Sequence, residues 1–138
     1  TDATRPFAAE AGGKIAAHTR DVFAHSAFRL SLPTGAAVVG TGGTLATVRA
    51  VLGARGGKTF EQTDPHLTVA QLRELLTSLG ALSLAERKKI PGLPPARADI
   101  FPSALATLIA VAEFGGFGGY QNSLYNLRYG IADEALEK

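Results

Sequence analysis

Apolar residues recur at helical spacing along much of the chain. The first repeat follows Thr4 and Pro6, which suit the cap and the first turn of a helix, and it ends near Ser26. Its apolar positions are Phe7, Ala11, Ile15, Val22 and Phe23. Two capping boxes, in which Gln or Glu follows the capping residue by three, begin at Thr68 and Ser83. These patterns predict a long first helix, then a leucine-rich helix and a short helix.

The C-terminal part of the chain predicts two further helices and a strand. Residues 99–114 carry a continuous apolar face, on which Pro102 is tolerable only in the first turn or at a kink. Glycines on both sides of Phe117 predict a linker, and YQNSL at 120–124 predicts a short strand. The last apolar repeat predicts a helix through Leu136.

A short apolar run at 36–39 leads into a glycine-rich turn and then into another helical repeat. The run predicts a buried strand, and we expect Thr44 to cap the following helix and Gly53 to end it. A strand that delivers glycines to a helix start favours an anion, because the free amides and the helix dipole attract negative charge. A purely conformational turn explains the glycines equally well.

The order of strand, helices, strand and helix predicts an α/β fold that is mostly helical, with few short strands. Because a two-stranded sheet is marginal alone, we expect further strands from a missing segment or another chain, unless FRLSL at 28–32 forms one. We expect a single, incomplete domain with four parts. They are a long helix and connector (1–34), a strand, Gly turn and helix (35–57), a small helical segment (66–93), and a helix, Gly linker, short strand and C-terminal helix (94–138).

Composition and charge exclude several classes of function. The 138 residues include no Cys, which removes disulfides and thiolate chemistry, and no Met, which favours a chain trimmed from a longer one. The net charge is only +2, so the overall charge gives no reason to expect nucleic-acid binding. No apolar run approaches the roughly 20 residues that span a bilayer. We therefore expect a cytoplasmic protein without nucleic-acid or membrane partners.

Two phosphate-binding fingerprints each fail on one residue. GARGGKT at 53–59 lacks the first glycine of a Walker A loop, where Leu52 stands, and it follows a helix, so we expect a flexible loop. GTGGTL lacks the third glycine of the dinucleotide fingerprint, where Leu45 stands. No HExxH motif, no GxSxG motif and no close pair of acids appears, so the sequence predicts no catalytic residue and no metal ligand.

Basic side chains are the remaining candidates for phosphate contacts. Arg97 and Arg128 stand at or just before predicted helices, near turns that the α/β order brings toward one edge. A guanidinium group suits phosphate oxygens, although a surface salt bridge or a clamp on a carbonyl explains each Arg at least as well. The cluster Arg87-Lys88-Lys89 predicts a solvated helix end, with phosphate contact as the alternative.

Three segments in a fixed order resemble the C-terminal half of the catalytic region of Ppx/GppA phosphatases, the exopolyphosphatase and pppGpp phosphohydrolase family. They are VVGTGGTLATVRAV, LTVAQLRELLTSLGALSLAERKKIPGLPPARADIFPSAL and LYNLRYGIADEAL. AERKKIPGLPPARADI is the most specific part, and the resemblance runs from about Gly35 to Leu136. It implies a partial second domain of the ribonuclease H-like fold, in the actin, sugar kinase and Hsp70 superfamily, where two such domains flank a cleft.

The resemblance also implies which residues meet the substrate. The turn residues would line the cleft wall, and Arg97 and Arg128 match recurrent arginines of the family's pxRAD and LRxG segments. The implied substrate-binding set is Gly40, Thr41, Gly42, Gly43, Thr44, Arg97 and Arg128. Departures from the family pattern are Pro102, where relatives carry small helix formers, and Asn126, where they often carry glycine.

In the complete enzyme, the resemblance implies hydrolysis of a terminal phosphoanhydride in polyphosphate or pppGpp, with Mg²⁺ and a carboxylate-oriented water. The family's first-domain phosphate loop, its catalytic glutamate and its DIGGGS loop have no counterpart here. We therefore expect an inactive fragment whose partners are polyphosphate or guanosine phosphates and the missing N-terminal portion of the same protein, with a homodimer as a further assembly. The alternatives are a noncatalytic phosphonucleotide-binding regulatory module and a sugar kinase relative, the latter disfavoured by PGLPPARAD.

Overall fold

Six helices and a three-stranded sheet make up the part of the chain that the computed structural model describes, residues 4–137. The helices are α1 (Ala9–His25), α2 (Gly43–Arg55), α3 (Val69–Gly80), α4 (Leu84–Arg87), α5 (Phe101–Gly115) and α6 (Leu127–Leu136), and Pro95–Arg97 forms a 3-10 turn. The strands are β1 (Val39–Gly40), β2 (His66–Thr68) and β3 (Gly119–Asn122). The predicted mostly helical α/β fold is confirmed.

The sheet has the order β1-β3-β2, with β3 parallel to β1 and antiparallel to β2. β3 is the strand predicted from YQNSL, whereas β2 was not predicted. The segment 28–32 forms no strand, so the third strand comes from 66–68 instead. The prediction of a buried strand at 36–39 was wrong in extent and burial, since β1 has two residues and Val39 is 58% exposed.

The hydrophobic core lies between α5, the sheet and helices α2 and α3. α5 packs against both α1 and α3, and its apolar face is buried as the sequence predicted. The buried side chains of the core include Leu45, Val48, Val51, Leu67, Leu72, Leu75, Leu79, Leu93, Phe101, Leu105 and Tyr120. α1 covers one side of α5, where Phe23 stacks on Phe114 with ring centroids 5.3 Å apart.

Helix ends were predicted correctly where the signal is local. Both capping boxes are present, at Thr68 and at Ser83, and Pro102 falls in the first turn of α5. Asn126 begins α6 by accepting a hydrogen bond from the backbone N–H of Arg128 at 3.0 Å. Asn126 is therefore the N-cap of the last helix.

Helix ends were predicted wrongly where a distant contact decides them. α1 starts at Ala9, later than the Thr4–Pro6 signal, because the Thr4 carbonyl accepts the Leu84 N–H at 3.1 Å and the segment docks on α4. Val22, predicted on the apolar face of α1, is 51% exposed. Gly53 does not end α2 but lies buried in its last turn, where a Cβ would overlap the Thr63 hydroxyl.

The connecting loop, residues 88–98, lies directly on α2. Gly92 has φ +86°, and a Cβ added there would lie 2.7 Å from the carbonyl carbon and oxygen of Ala50 and 2.8 Å from the backbone nitrogen of Val51. Leu93 follows with its side chain in the core, 3% exposed. A glycine at position 92 is thus required both by its backbone angle and by the close approach to a helix backbone.

Substituting Gly92 tests this contact. Gly92→Ala should lower the free energy of unfolding by about 3 kcal/mol or more, because a left-handed backbone angle and an overlap with rigid backbone both oppose the new methyl group. Gly57→Ala is the matched control, since Gly57 also has positive φ but open space around it, and it should cost only about 1 kcal/mol. Equal losses in urea denaturation would contradict the proposed packing.

Tyr120 gives the fold a specific response to alkaline pH. Its hydroxyl donates to the Leu108 carbonyl at 2.6 Å, and burial raises the pKa of Tyr120 from 10.0 to about 12. Between those pH values the unfolded chain releases the tyrosine proton while the folded chain keeps it, so the free energy of unfolding falls as pH rises.

The Tyr120→Phe variant should lose this part of the pH dependence. We expect wild-type stability to fall between pH 10 and 12 by about 1.4 kcal/mol for each pKa unit of difference, and the variant to show a flatter curve. Tyr129→Phe, which changes an exposed ring, is the control. Urea denaturation at several pH values measures the slopes, and identical slopes for wild type and Tyr120→Phe would contradict the assignment.

Candidate anion-binding site

The carboxyl ends of two parallel strands meet at one edge of the sheet. β1 and β3 run in the same direction with Gly40 opposite Asn122, and the Ser123 N–H donates to the Gly40 carbonyl at 3.0 Å. The glycine turn leaves the sheet from Gly40 and enters α2. Ligands of open α/β sheets bind outside the carboxyl ends of the strands, and this edge therefore defines the candidate site.

A different structural constraint explains the absence of a side chain at each of the three glycines of the turn. At Gly40 a Cβ would overlap the side chain of Leu45, so this glycine allows core packing. Gly42 has φ +96° with open space around it, so this glycine allows the backbone to turn. At Gly43 a Cβ would overlap the guanidinium group of Arg97, so this glycine makes room for a cation.

The N-terminus of α2 presents backbone amides at this turn. α2 begins at Gly43 with Gly42 as the N-cap, not with Thr44 capping as predicted, and no side chain caps the helix. The first amides of a helix have no carbonyl partner within it, and the helix dipole places partial positive charge there. Thr44 lies in the first turn, and the exposed Thr41 precedes Gly42. The turn therefore offers amide donors without a built-in acceptor.

Arg97 adds a full positive charge to the same helix end. It is the last residue of the 3-10 turn, its side chain is exposed, and its guanidinium lies against the Cα of Gly43. Within residues 4–137 this guanidinium has no hydrogen bond or ion pair, in contrast to Arg73, which pairs with Glu113 at 2.6 Å. The alternative roles considered for Arg97, a salt bridge or a carbonyl clamp, are therefore not the ones it has in this part of the chain.

Arg128 contributes to a cavity in the C-terminal part of the chain. It is in the first turn of α6 and lines a shallow cavity of about 480 Å³ with Leu124, Asn126 and Tyr129. No residue of the glycine turn lines that cavity. The structure thus brings Arg97 to the turn, and it describes no contact between Arg128 and the turn.

Arg87 is not the solvated side chain that the basic cluster predicted. It is only 2% exposed, while Lys88 and Lys89 are exposed as expected. Its guanidinium donates to the carbonyl of Ala98 at 2.8 Å and to that of Arg5 at 3.1 Å. Burial lowers the pKa of Arg87, and the nearby negative charge of Asp99 opposes that shift. This side chain therefore lies in the protein interior, where it acts as a clamp by donating hydrogen bonds to backbone carbonyls.

Asn122 is a polar residue of the site that sequence reasoning missed. It is 5% exposed, and its Nδ2 donates a long hydrogen bond of 3.5 Å to the Gly40 carbonyl. Its Oδ1 is buried without a hydrogen-bond partner in residues 4–137. The only available signal was its position at the end of the predicted strand YQNSL, where a buried side chain faces the loop from the neighbouring strand.

Within residues 4–137, no three side chains of His, Asp or Glu come together in a group that could hold a metal ion. The Walker-like segment 53–59 covers the end of α2, where Lys58 N–H donates to the Gly53 carbonyl at 2.8 Å, so its rejection as a phosphate loop is confirmed. It is an ordered turn, closed by a hydrogen bond of 2.7 Å that the Thr63 hydroxyl donates to the Thr59 carbonyl.

None of the helices in the described ranges has the length and apolar character needed to cross a membrane.

Comparison with known proteins identifies the architecture. The sequence matches no family model. The structure is similar to an exopolyphosphatase from Cytophaga hutchinsonii, with a TM-score of 0.73 and 21% identity over 96% of this chain and 44% of that chain. It is also similar to a Ppx/GppA family member from Aquifex aeolicus, with a TM-score of 0.69 and 19% identity over 93% of this chain and 40% of that one.

A type II variant of the Aquifex aeolicus Ppx/GppA phosphatase shows the same likeness, with a TM-score of 0.67 and 18% identity over 89% of this chain and 39% of that one. This chain thus spans less than half the length of the structures it matches. Over nearly all of its own length, it has the fold found in part of the Ppx/GppA proteins, which confirms at the level of the fold the resemblance that the sequence motifs predict.

Proposed function

We propose that this chain is part of a Ppx/GppA-type phosphatase and that its glycine turn binds a phosphate group of the substrate together with Arg97. The observation that carries the proposal is the Arg97 guanidinium against Gly43, at the uncapped start of α2. The fold shared with an exopolyphosphatase and with Ppx/GppA proteins supports the same conclusion. The substrate would be polyphosphate or a guanosine polyphosphate such as pppGpp.

Two sources of positive potential meet at the start of α2. Uncapped amides at a helix start favour an anion, and a guanidinium group donates up to two parallel hydrogen bonds to phosphate oxygens. Phosphoryl transfer depends mainly on positioning and on neutralising charge, so a surface that holds one phosphate contributes directly to such a reaction. The side chain of Arg97 is exposed, so a phosphate can reach it from solvent.

The remaining chemistry is assigned to residues outside the described chain. The family resemblance implies Mg²⁺ and a carboxylate that orients the attacking water, and residues 4–137 contain no group of three potential metal ligands. Arg128 is proposed as a second, separate contact for a long substrate, on the surface of α6. A noncatalytic phosphonucleotide-binding module remains the alternative, because the turn and Arg97 bind an anion in the same way whether or not cleavage follows.

Removing the Arg97 side chain tests the proposed site. We expect tripolyphosphate to shift the backbone amide signals of Gly43 and Thr44 in the wild-type chain, and Arg97→Ala to weaken this binding about tenfold, because it removes charged hydrogen bonds. Arg20→Ala removes the same charge from the exposed surface of α1 and should change affinity less than twofold. The measurement is a two-dimensional NMR titration at constant ionic strength.

The site assignment is wrong if Arg97→Ala and Arg20→Ala weaken binding equally, since the anion would then respond only to net charge. It is also wrong if the shifted amides lie outside the glycine turn. A titration with sulfate at the same ionic strength separates binding of a phosphate chain from a general response to a divalent anion.

A second test concerns catalysis. We expect the 138-residue chain to release no phosphate from long-chain polyphosphate or pppGpp with Mg²⁺ present, because it can hold only one side of the substrate. Release is measured as inorganic phosphate over time, beside a mock preparation and beside Arg97→Ala. Release by the wild-type chain above the mock, lost in Arg97→Ala, would contradict the expectation that the catalytic groups lie outside this chain.

A further inference from the structure

The side chain of Arg87 joins three segments that are distant in sequence. It extends from the end of α4, one guanidinium nitrogen donates to the Ala98 carbonyl at 2.8 Å, and another donates to the Arg5 carbonyl at 3.1 Å. Both Arg87 and Ala98 are buried, at 2% and 0% exposure. Because a buried guanidinium group loses its hydration, these hydrogen bonds offset part of that cost and hold the Ala98 backbone in place.

The clamped carbonyl belongs to the residue next to Arg97. The 3-10 turn Pro95–Arg97 ends at Ala98, whose N–H donates to the Pro95 carbonyl at 3.3 Å. Any displacement of Ala98 therefore moves the Cα of Arg97 with it. The guanidinium of Arg97 lies on Gly43 in this arrangement, so a shift of that Cα changes the reach that the side chain needs to keep the contact.

The connecting loop is held by close packing at Gly92, by the buried side chains of Leu93 and Ala98, and by the Arg87 hydrogen bond next to Arg97. Gly92 fixes the first part of the loop on Ala50 and Val51 in the middle of α2. Between Gly92 and Arg97 two prolines, Pro94 and Pro95, restrict the backbone but form no hydrogen bond to α2 through their nitrogens. Near Arg97, the loop is held by the buried Ala98 and by the hydrogen bond that Arg87 donates to its carbonyl.

We propose that Arg87 is a positioning residue for anion binding, which holds the Ala98 backbone so that Arg97 stays against Gly43 at the start of α2. The inference rests on the proposed function for its effect on phosphate binding, while the geometric part concerns Arg97 and Gly43 alone. Arg87 itself is too buried to touch the anion. Its contribution is made through Ala98 and Arg97.

The test compares Arg87→Lys and Arg87→Met with wild type, in the 138-residue chain. Lysine keeps the charge but cannot present a planar fork to two carbonyls, and methionine suits a buried site without charge. Two readouts are taken. The first is the nuclear Overhauser effect between the Arg97 side chain and the Gly43 α protons without ligand, and the second is the affinity for tripolyphosphate from the amide shifts of Gly43.

A double-mutant cycle separates positioning from general destabilisation. We expect Arg87→Lys to weaken tripolyphosphate binding three- to tenfold when Arg97 is present and less than twofold when Arg97 is alanine, with Arg87→Met weakening it further in the first background only. Ile109→Val, a core change far from the loop in sequence, is the control and should leave the affinity of the folded protein unchanged. Dispersed amide signals establish folding of each variant.

Each outcome decides the proposal. Equal weakening in both backgrounds, or unchanged binding in both Arg87 variants, overturns it. If wild type binds no tripolyphosphate, the proposed function fails, and the Overhauser effect then decides the positioning role alone. Its loss in Arg87→Lys and Arg87→Met with retention in Ile109→Val supports that role, and its retention in all three variants overturns it.

Discussion

The contact between the connecting loop and α2 is the interaction on which the candidate site depends. Gly92 lies on Ala50 and Arg97 lies on Gly43, so the loop follows the helix over seven residues, about 10 Å, toward its N-terminus. A side chain at Gly92 would lift the loop from the helix. Close backbone packing in the middle of α2 therefore positions Arg97 at the start of the same helix. The hydrogen bonds of Arg87 support this position.

β3 is the central strand and holds the small sheet together, because it forms hydrogen bonds with both other strands. The Gln121 N–H donates to the Val38 carbonyl at 2.8 Å on one side, and the Asn122 N–H donates to the Pro65 carbonyl at 2.8 Å on the other. With strands of two to four residues, backbone pairing alone would be weak. The buried faces of α2, α3 and α5 hold these strands, and so the glycine turn, in place.

How far the sequence predicts this structure depends on the range of the deciding contact. Capping boxes and a proline in a first turn act over three or four residues, and those helix starts were predicted correctly. The burial of Arg87 depends on carbonyls 11 and 82 residues away, and no periodic pattern records them. Gly43 and Arg97 are also far apart in sequence, so the motif resemblance indicated both residues, but only the fold shows that they are in contact.

The glycines of the turn meet two kinds of constraint, one from the backbone conformation and one from a ligand. The sequence alone does not show which glycine serves which constraint. Gly40 serves the packing of Leu45, and Gly42 serves the backbone turn, so neither glycine by itself argues for a ligand. Gly43 differs, since the space left by its missing side chain is filled by a guanidinium group that has no partner in residues 4–137. A structural turn has no need to bring a cation against uncapped amides, because both repel one another electrostatically. An anion bound by both the guanidinium group and the first amides of α2 would offset that repulsion, and this electrostatic balance favours phosphate at the start of α2.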